Sequence, residues 1–83
     1  MARMYVPRSD YFRRHRYDSR KIMRVVREAG GRNIRLCHVF NSSNFPKVVT
    51  FDVRNLREAD LVKGALRDEF GKYSWLEVKK KNW

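Results

Sequence analysis

The 83-residue sequence is short of cysteine, histidine and long apolar runs. Its one cysteine, Cys37, has no partner for an internal disulfide, which favours a reducing compartment. Cys37 and the two histidines, His15 and His38, are too few to ligate a structural zinc ion. A transmembrane helix needs ~20 consecutive apolar residues, and the sequence has no such run. We therefore expect no metal, no other cofactor and no membrane partner.

The first residues do not have the features of a targeting segment. They are basic, but they lack the apolar stretch of a secretory signal. An arginine-rich start is also typical of mitochondrial presequences, but Asp10 and Asp18 argue against one. These features predict a cytoplasmic protein.

Acidic residues are scarce, since nine Asp and Glu stand against twenty Lys and Arg and leave a formal net charge of +11. Charge of one sign destabilises a compact chain by self-repulsion, and a bound polyanion relieves it. A chain of this length forms one small core. We therefore expect a single domain over 1–83, with a polyanion partner and RNA as the first candidate.

The densest basic stretch is interspersed with aromatic side chains. It covers residues 8–17 and continues into the first predicted helix. Arginine binds phosphate as a planar fork, and flat rings stack on unpaired bases. The pattern predicts RNA binding with weak sequence preference. The candidate RNA-binding residues are Arg8, Tyr11, Arg13, Arg14, His15, Arg16, Tyr17, Arg20, Lys21, Arg24, Arg27, Arg35 and Trp75.

Periodicity and turn signals predict alternating strands and helices. The predicted elements are an edge strand over 3–6, a helix over 19–29, strands over 33–40 and 47–53, a helix between Asn55 and Gly71, and a strand over 75–78. Asp18 or Ser19 is expected to cap the first helix, and Asn55 the second with Glu58. Residues 41–46 are expected to form a turn-rich connection, 1–17 a basic segment and 79–83 a solvated basic tail.

The alternation in the strands predicts two different faces of the sheet. The residues expected beneath the helices are Ile34, Leu36, Val49, Phe51, Leu76 and Val78. The residues expected on the other face are Tyr5, Arg35, Cys37, Val39, Val48, Thr50, Trp75 and Lys79. The basic side of the first helix is expected along one flank of this sheet.

The order β-α-β-β-α-β is the ferredoxin-like pattern, an α+β sandwich with an antiparallel sheet and two helices on one face. Without the first strand, a three-stranded α+β sandwich remains. RNA-recognition motifs share the order, but their third strand carries glycine and an exposed aromatic pair. The third strand here keeps only Lys47 and Phe51 of that pattern, so we do not expect membership of that family.

Functions other than RNA binding have weaker support in the sequence. The two histidines would serve a metal-independent ribonuclease, but no acid, base and nucleophile stand together in the pattern, so we predict no catalytic residue. His38 is expected in the core and His15 at the RNA. Gly30 and Gly31 fit the turn of a small-molecule-binding regulatory domain, although glycines after a helix are mostly a C-cap. A ribosomal or other ribonucleoprotein component shares the same composition.

Length, charge and the basic aromatic stretch over 11–17 together resemble the small basic early proteins of T-even-type phages. That group includes inhibitory factors that counter type III toxin–antitoxin endoribonucleases through RNA. The resemblance implies an RNA-binding inhibitor in the bacterial cytoplasm, bridged to its toxin endoribonuclease by RNA. It transfers no site residues to this sequence and leaves the oligomeric state and the identity of the RNA open.

Overall fold

The computed structural model describes residues 2–8, 12, 14–38, 47–71 and 77–81. In the described part of the chain the elements are, in order, β1 (Ala2–Val6), α1 (Ser19–Glu28), β2 (Arg32–His38), β3 (Lys47–Val53), α2 (Leu56–Phe70) and β4 (Lys79–Lys80). This order confirms the predicted ferredoxin-like α+β class. The predictions for Val39, Leu76 and the connection over 41–46 lie outside the described residues.

The strands of the described residues form a four-stranded antiparallel sheet in the order β2-β3-β1-β4. β1 pairs with β3 from Ala2↔Val53 to Val6↔Val49, and with β4 on its other side. The prediction that β1 is an edge strand is therefore wrong. Pro7 is compatible with an interior strand, because it follows the last paired residue and its missing N–H is not needed by the ladder.

The lysines after residue 78 belong to the sheet, so the prediction of a tail is wrong for them, although Lys79 and Lys80 are exposed as expected. Lys79 pairs with Tyr5 of β1, and the amide of Lys81 donates to the carbonyl oxygen of Arg3 at 2.8 Å. β4 thus begins where the predicted strand over 75–78 ends. Lysines on an edge strand discourage pairing with a second chain, which gives these residues a structural reason to be basic.

α1 begins and ends where its signals predict. The carboxylate of Asp18 accepts a hydrogen bond from the amide of Lys21 at 3.1 Å, which caps the first turn. Gly30 follows the helix with φ +107°, a backbone conformation that favours glycine. Ile22, Val25 and Val26 are buried, which confirms the predicted apolar face.

α2 is capped from both sides of its first turn. The side-chain oxygen of Asn55 accepts from the amide of Glu58 at 2.9 Å, and a carboxylate oxygen of Glu58 accepts from the amide of Arg54 at 3.4 Å. The helix ends before Gly71, whose φ is +110°. The predicted stripe is confirmed, with Ala59, Val62 and Leu66 buried and Phe70 packed against them.

The core lies between the helices and one face of the sheet. Val49, Phe51 and Val53 of β3 occupy its centre, as expected from their alternation. The other core residues that β1, α1 and α2 contribute are Met4, Val6, Ile22, Val25, Val26, Ala59, Val62 and Leu66. Phe12 and, from before β4, Val78 pack here too, so the expected position of Val78 under the helices is confirmed.

Three predicted exposures are wrong. Leu36 is expected beneath the helices but is 42% exposed, because β2 is the edge strand farthest from β1. Val48 and Thr50 are expected on a solvated face, and both are buried although they lie on the side away from the helices. The side chain of Arg3 covers Thr50, with Nη2 donating to Oγ1 at 2.8 Å.

Candidate nucleic-acid interface

The sheet face that the helices leave uncovered, here called the open face, carries a depression of about 380 Å³. Three cations, one carboxylate, one amide and one thiol line it, which leaves two formal positive charges in excess. These residues, the sheet-face depression, are Arg3, Asn33, Arg35, Cys37, Asp52 and Lys81. Of the sequence-predicted site, only Arg35 is among them.

Strand pairing brings the depression together from segments far apart in the chain. Arg3 of β1 stands opposite Asp52 of β3, and Arg35 of β2 stands opposite Thr50. Side chains in a strand alternate between the two faces, so all four residues point away from the helices. The interior position of β1, between β3 and β4, therefore decides that Arg3 belongs to this site.

A β-bulge shapes one wall of the depression. Arg32 pairs with Asp52 and Arg35 with Thr50, so β2 carries one residue more than β3 between these two pairs. Asn33 lies in this bulge with φ +48°, the left-handed conformation that asparagine tolerates better than most residues. Its carbonyl oxygen and side-chain amide are thereby turned towards β1 and β3.

Three hydrogen bonds hold the guanidinium of Arg3. Its Nη1 donates to the carbonyl oxygen of Asn33 at 2.7 Å and to Asp52 Oδ1 at 3.0 Å. Its Nη2 donates to Thr50 Oγ1 at 2.8 Å. The side chain keeps about a quarter of its surface exposed, so a fixed positive charge remains accessible.

Asp52 stays ionised in this network. The side-chain amide of Asn33, 2.8 Å from Oδ2, holds the pKa of the carboxyl below its usual value, and the hydrogen bond and charge of Arg3 add to this effect. The charge of Arg35 acts in the same direction. Asp52 therefore offsets Arg3, and the other two cations that line the depression are Arg35 and Lys81.

The open face extends beyond the depression towards the edge strand β4. Tyr5 is half-buried and lies in register between Thr50 of β3 and Lys79 of β4. Lys79 has about half of its side chain exposed and pairs with Glu77 at 3.5 Å. On the same face, towards β2, the thiol sulfur of Cys37 lies 3.4 Å from Thr50 Oγ1. Among the described residues, the ring of Tyr5 and several cations thus share this surface.

Tyr17 packs against the core, where it has a structural role, and its stacking on RNA stays a prediction. Its hydroxyl donates to the carbonyl of Val6 at 2.8 Å and accepts from the amide of Val49 at 3.0 Å. The ring of Tyr17 makes an edge contact with the ring of Phe12, with 4.7 Å between the centroids. The guanidinium carbon of Arg8 lies 4.8 Å from the centroid of the Tyr17 ring. Burial raises the pKa of Tyr17 to about 12. The basic segment before α1 is therefore anchored to the sheet.

Two of the predicted helix cations make ion pairs with α2. Glu69 lies 3.3 Å from Arg24 Nη2 and 3.7 Å from the ammonium of Lys21. The ammonium of Lys21 also lies 4.9 Å from the ring centroid of Phe70. Exposed pairs of this kind contribute little to stability, so the two cations are not committed to Glu69.

The other predicted RNA-binding residues lie apart from the depression or outside the described residues. Arg14, His15 and Arg16 are exposed in the connection before α1, and Arg20 and Arg27 are exposed on α1 itself. Tyr11, Arg13 and Trp75 lie outside the described residues. Of the predicted cations, Arg20, Arg24 and Arg27 lie on the side of α1 that faces away from the sheet.

Sequence reasoning missed five residues of the depression: Arg3, Asn33, Cys37, Asp52 and Lys81. Of these, Cys37 is predicted on this face of the sheet but not as a site residue. The alternation of β1 places Arg3 on the face of Tyr5, so the sequence does contain a signal for Arg3. The bulge at Asn33 and the pairing of the lysine segment have no local signal, because both depend on the register between strands.

Among the described residues no group of three or more His, Cys, Asp or Glu side chains is placed to hold a metal ion. No helix in the described part of the chain is long and apolar enough to cross a membrane. No protein-family model matches the sequence, and no curated protein and no solved structure matches it either.

Proposed function

We propose that the protein binds single-stranded RNA on the open face of its sheet, without catalysing a reaction. The observation that carries the proposal is the sheet-face depression, a concave surface of about 380 Å³ with two positive charges in excess. Sites for small ligands begin at roughly 300 Å³, so the depression has room for one nucleotide of a strand. The guanidinium of Arg3 is already held by three hydrogen bonds, and Asp52 offsets its charge. The phosphate contact that we propose in the depression is therefore the exposed side chain of Arg35.

Tyr5 and Lys79 favour a single strand over a duplex. Single strands bind by pairing phosphates with cations and stacking unpaired bases on aromatic rings. Tyr5 and Lys79 are neighbours on the open face and supply one group of each kind beside the depression. A strand that follows β1 from Tyr5 to Arg3 would therefore meet a ring and then the cationic depression.

We propose binding without catalysis because the carboxylate and the thiol of the depression contact other residues and not each other. The carboxylate oxygens of Asp52 accept from Arg3 and Asn33, and the sulfur of Cys37 contacts Thr50. A nucleophile and its base need to lie within hydrogen-bond reach of each other. Asp52 and Cys37 have other partners instead.

The finer role, inhibition of a toxin endoribonuclease through RNA in the bacterial cytoplasm, stays a prediction. Its test is recovery of a type III toxin with the tagged protein before and after nuclease treatment. Recovery that nuclease abolishes is expected for an inhibitor bridged by RNA. Recovery of whole ribosomal particles would instead favour the ribonucleoprotein alternative.

The salt dependence of RNA affinity tests the electrostatic mechanism. If Arg35, Lys79 and Lys81 of the open face neutralise about three phosphates of a single strand, the slope of log affinity against log salt is roughly −2. Arg35→Gln should flatten the slope by about 0.7, the value of one phosphate contact. Arg57→Gln, an equal change of charge at an exposed position of α2, is the matched control. Equal slopes for the two variants would contradict the proposed surface.

Cys37 gives an independent report of occupancy. It is the single cysteine of the sequence and lines the depression, so a thiol reagent labels one position. Saturating RNA should slow the labelling of Cys37 in the folded protein. Labelling at an unchanged rate under RNA saturation would place the strand elsewhere.

A further inference from the structure

We propose that α1 carries a second RNA-binding surface and that one protein molecule bridges two RNA strands. The second surface, here called the helix stripe, consists of Arg20, Arg24 and Arg27. The inference rests on the proposed function, because it adds a strand to the one on the open face.

Helical spacing aligns the helix stripe. Arg20, Arg24 and Arg27 stand at i, i+4 and i+7, so they share one side of α1. Their rise along the axis is about 6 Å and then about 4.5 Å. All three are exposed, and Arg24 has 60% of its side chain accessible. The stripe therefore offers a row of guanidinium groups along a single line.

The helix stripe and the depression lie on opposite sides of the protein. Ile22, Val25 and Val26 turn the other side of α1 into the core, so the stripe points away from the sheet. Arg3 and Arg35 lie on the sheet face that points away from the helices. The hydrophobic core separates the two cationic surfaces, and a short strand on one does not extend to the other.

The thickness of the protein allows both surfaces to be occupied together. The shortest extent of the Cα positions is 19 Å. Charges in solution are screened over about 8 Å at physiological salt, so strands on opposite sides repel each other weakly. The net charge of +11 between them adds attraction for both. Binding of the first strand should therefore leave the affinity for the second nearly unchanged.

Glu69 provides an internal competitor for the helix stripe. Its carboxylate lies 3.3 Å from Arg24 and 3.7 Å from Lys21, so it competes with an incoming phosphate for the guanidinium of Arg24. A phosphate that binds the stripe has to displace this carboxylate. Glu69→Gln removes the competing charge and should strengthen binding of the second strand, which is opposite in sign to the loss expected from arginine variants.

A two-strand capture experiment tests the proposal. One oligonucleotide of about six nucleotides, within the site size of small single-strand binders, is immobilised, and a second, non-complementary one carries a fluorophore. Wild-type protein should capture the second strand, and excess protein should abolish the capture because each strand then holds its own protein molecule. Glu69→Gln should increase the capture.

Arg20→Gln with Arg27→Gln should keep binding to the immobilised strand and lower capture of the second roughly tenfold at about 0.1 M salt, by the loss of two phosphate contacts. Arg57→Gln with Lys63→Gln on α2 is the control with an equal change of charge. Capture that the α1 variant leaves unchanged would overturn the bridge. Loss of binding to the immobilised strand in the wild type would instead contradict the proposed function itself.

Discussion

Arg3 and Asp52 stand opposite each other on β1 and β3, and Nη1 of Arg3 lies 3.0 Å from Oδ1 of Asp52. Asn33 bonds to both partners from β2, so the pair connects three adjacent strands. The same contacts position the guanidinium of Arg3 and hold the strands in register. Changes at this pair should therefore alter stability as well as binding.

Asp52→Asn should reduce the loss of unfolding free energy that wild type shows as the pH falls into the acid range. The pKa of Asp52 is lowered in the folded state, so its contribution is present above the unfolded value of about 3.9 and is lost as pH falls through the folded value. We expect the variant to be less stable than wild type at neutral pH and to approach it in strong acid. Urea unfolding at a series of pH values measures this. Asp60→Asn, at an exposed position of α2, is the control, and its free energy of unfolding should vary with pH as that of wild type does.

Tyr17→Phe should destabilise the fold by about 1–3 kcal/mol, because the amide of Val49 loses its acceptor inside the protein. Since the folded pKa of Tyr17 is raised to about 12, its contribution is full below pH ~10 and is lost as pH rises through the folded value. The variant should lack this part of the alkaline loss of stability. An alkaline unfolding profile identical in wild type and variant would contradict the assignment of Tyr17 to the core.

Gly31→Ala and Gly64→Ala should change stability in opposite directions. A Cβ on Gly31 would overlap Cγ1 of buried Val26 and lie 3.3 Å from Cδ2 of Phe51, so we expect a loss of about 1–3 kcal/mol. A Cβ on Gly64 meets nothing within 4 Å, and alanine in a helix interior is more stable than glycine by roughly 0.5–1 kcal/mol. Thermal unfolding of the two variants measures both. A stabilising Gly31→Ala would contradict the close packing of α1 on β3.

Folding and RNA binding should be separable by two further variants. Phe51 is fully buried at the centre of the core, and Phe51→Ala should cost about 3–5 kcal/mol by leaving a cavity. Arg14→Ala with Arg16→Ala changes exposed residues of the connection before α1 and should leave unfolding within about 0.5 kcal/mol of wild type. Arg14 and Arg16 lie apart from the depression, so weaker RNA binding by the double variant would show that the basic segment before α1 contacts RNA as well. Unfolding of the arginine variant alone would show that the connection supports the fold.

The sequence by itself determined the elements whose signals lie within one segment. The spacing of Ile22, Val25 and Val26 specifies a helix face, Asp18 and Asn55 specify where the helices begin, and alternation over 47–53 specifies β3. These signals are local because capping and side-chain period act over a few residues. The excess of cationic side chains is likewise a property of composition and does not depend on how the chain folds.

Only the tertiary structure decided where the site lies. Arg3 enters the depression because β1 is interior, and Asn33 faces it because a bulge shifts the register of β2. Lys81 reaches it because the backbone of the final lysines pairs with β1 and does not form a free tail. Each of these positions depends on which strands pair and in which register, and pairing is set by contacts across the whole chain. No local pattern near Asn33 or Lys81 contains that information, and the alternation of β1 indicates only the face on which Arg3 lies.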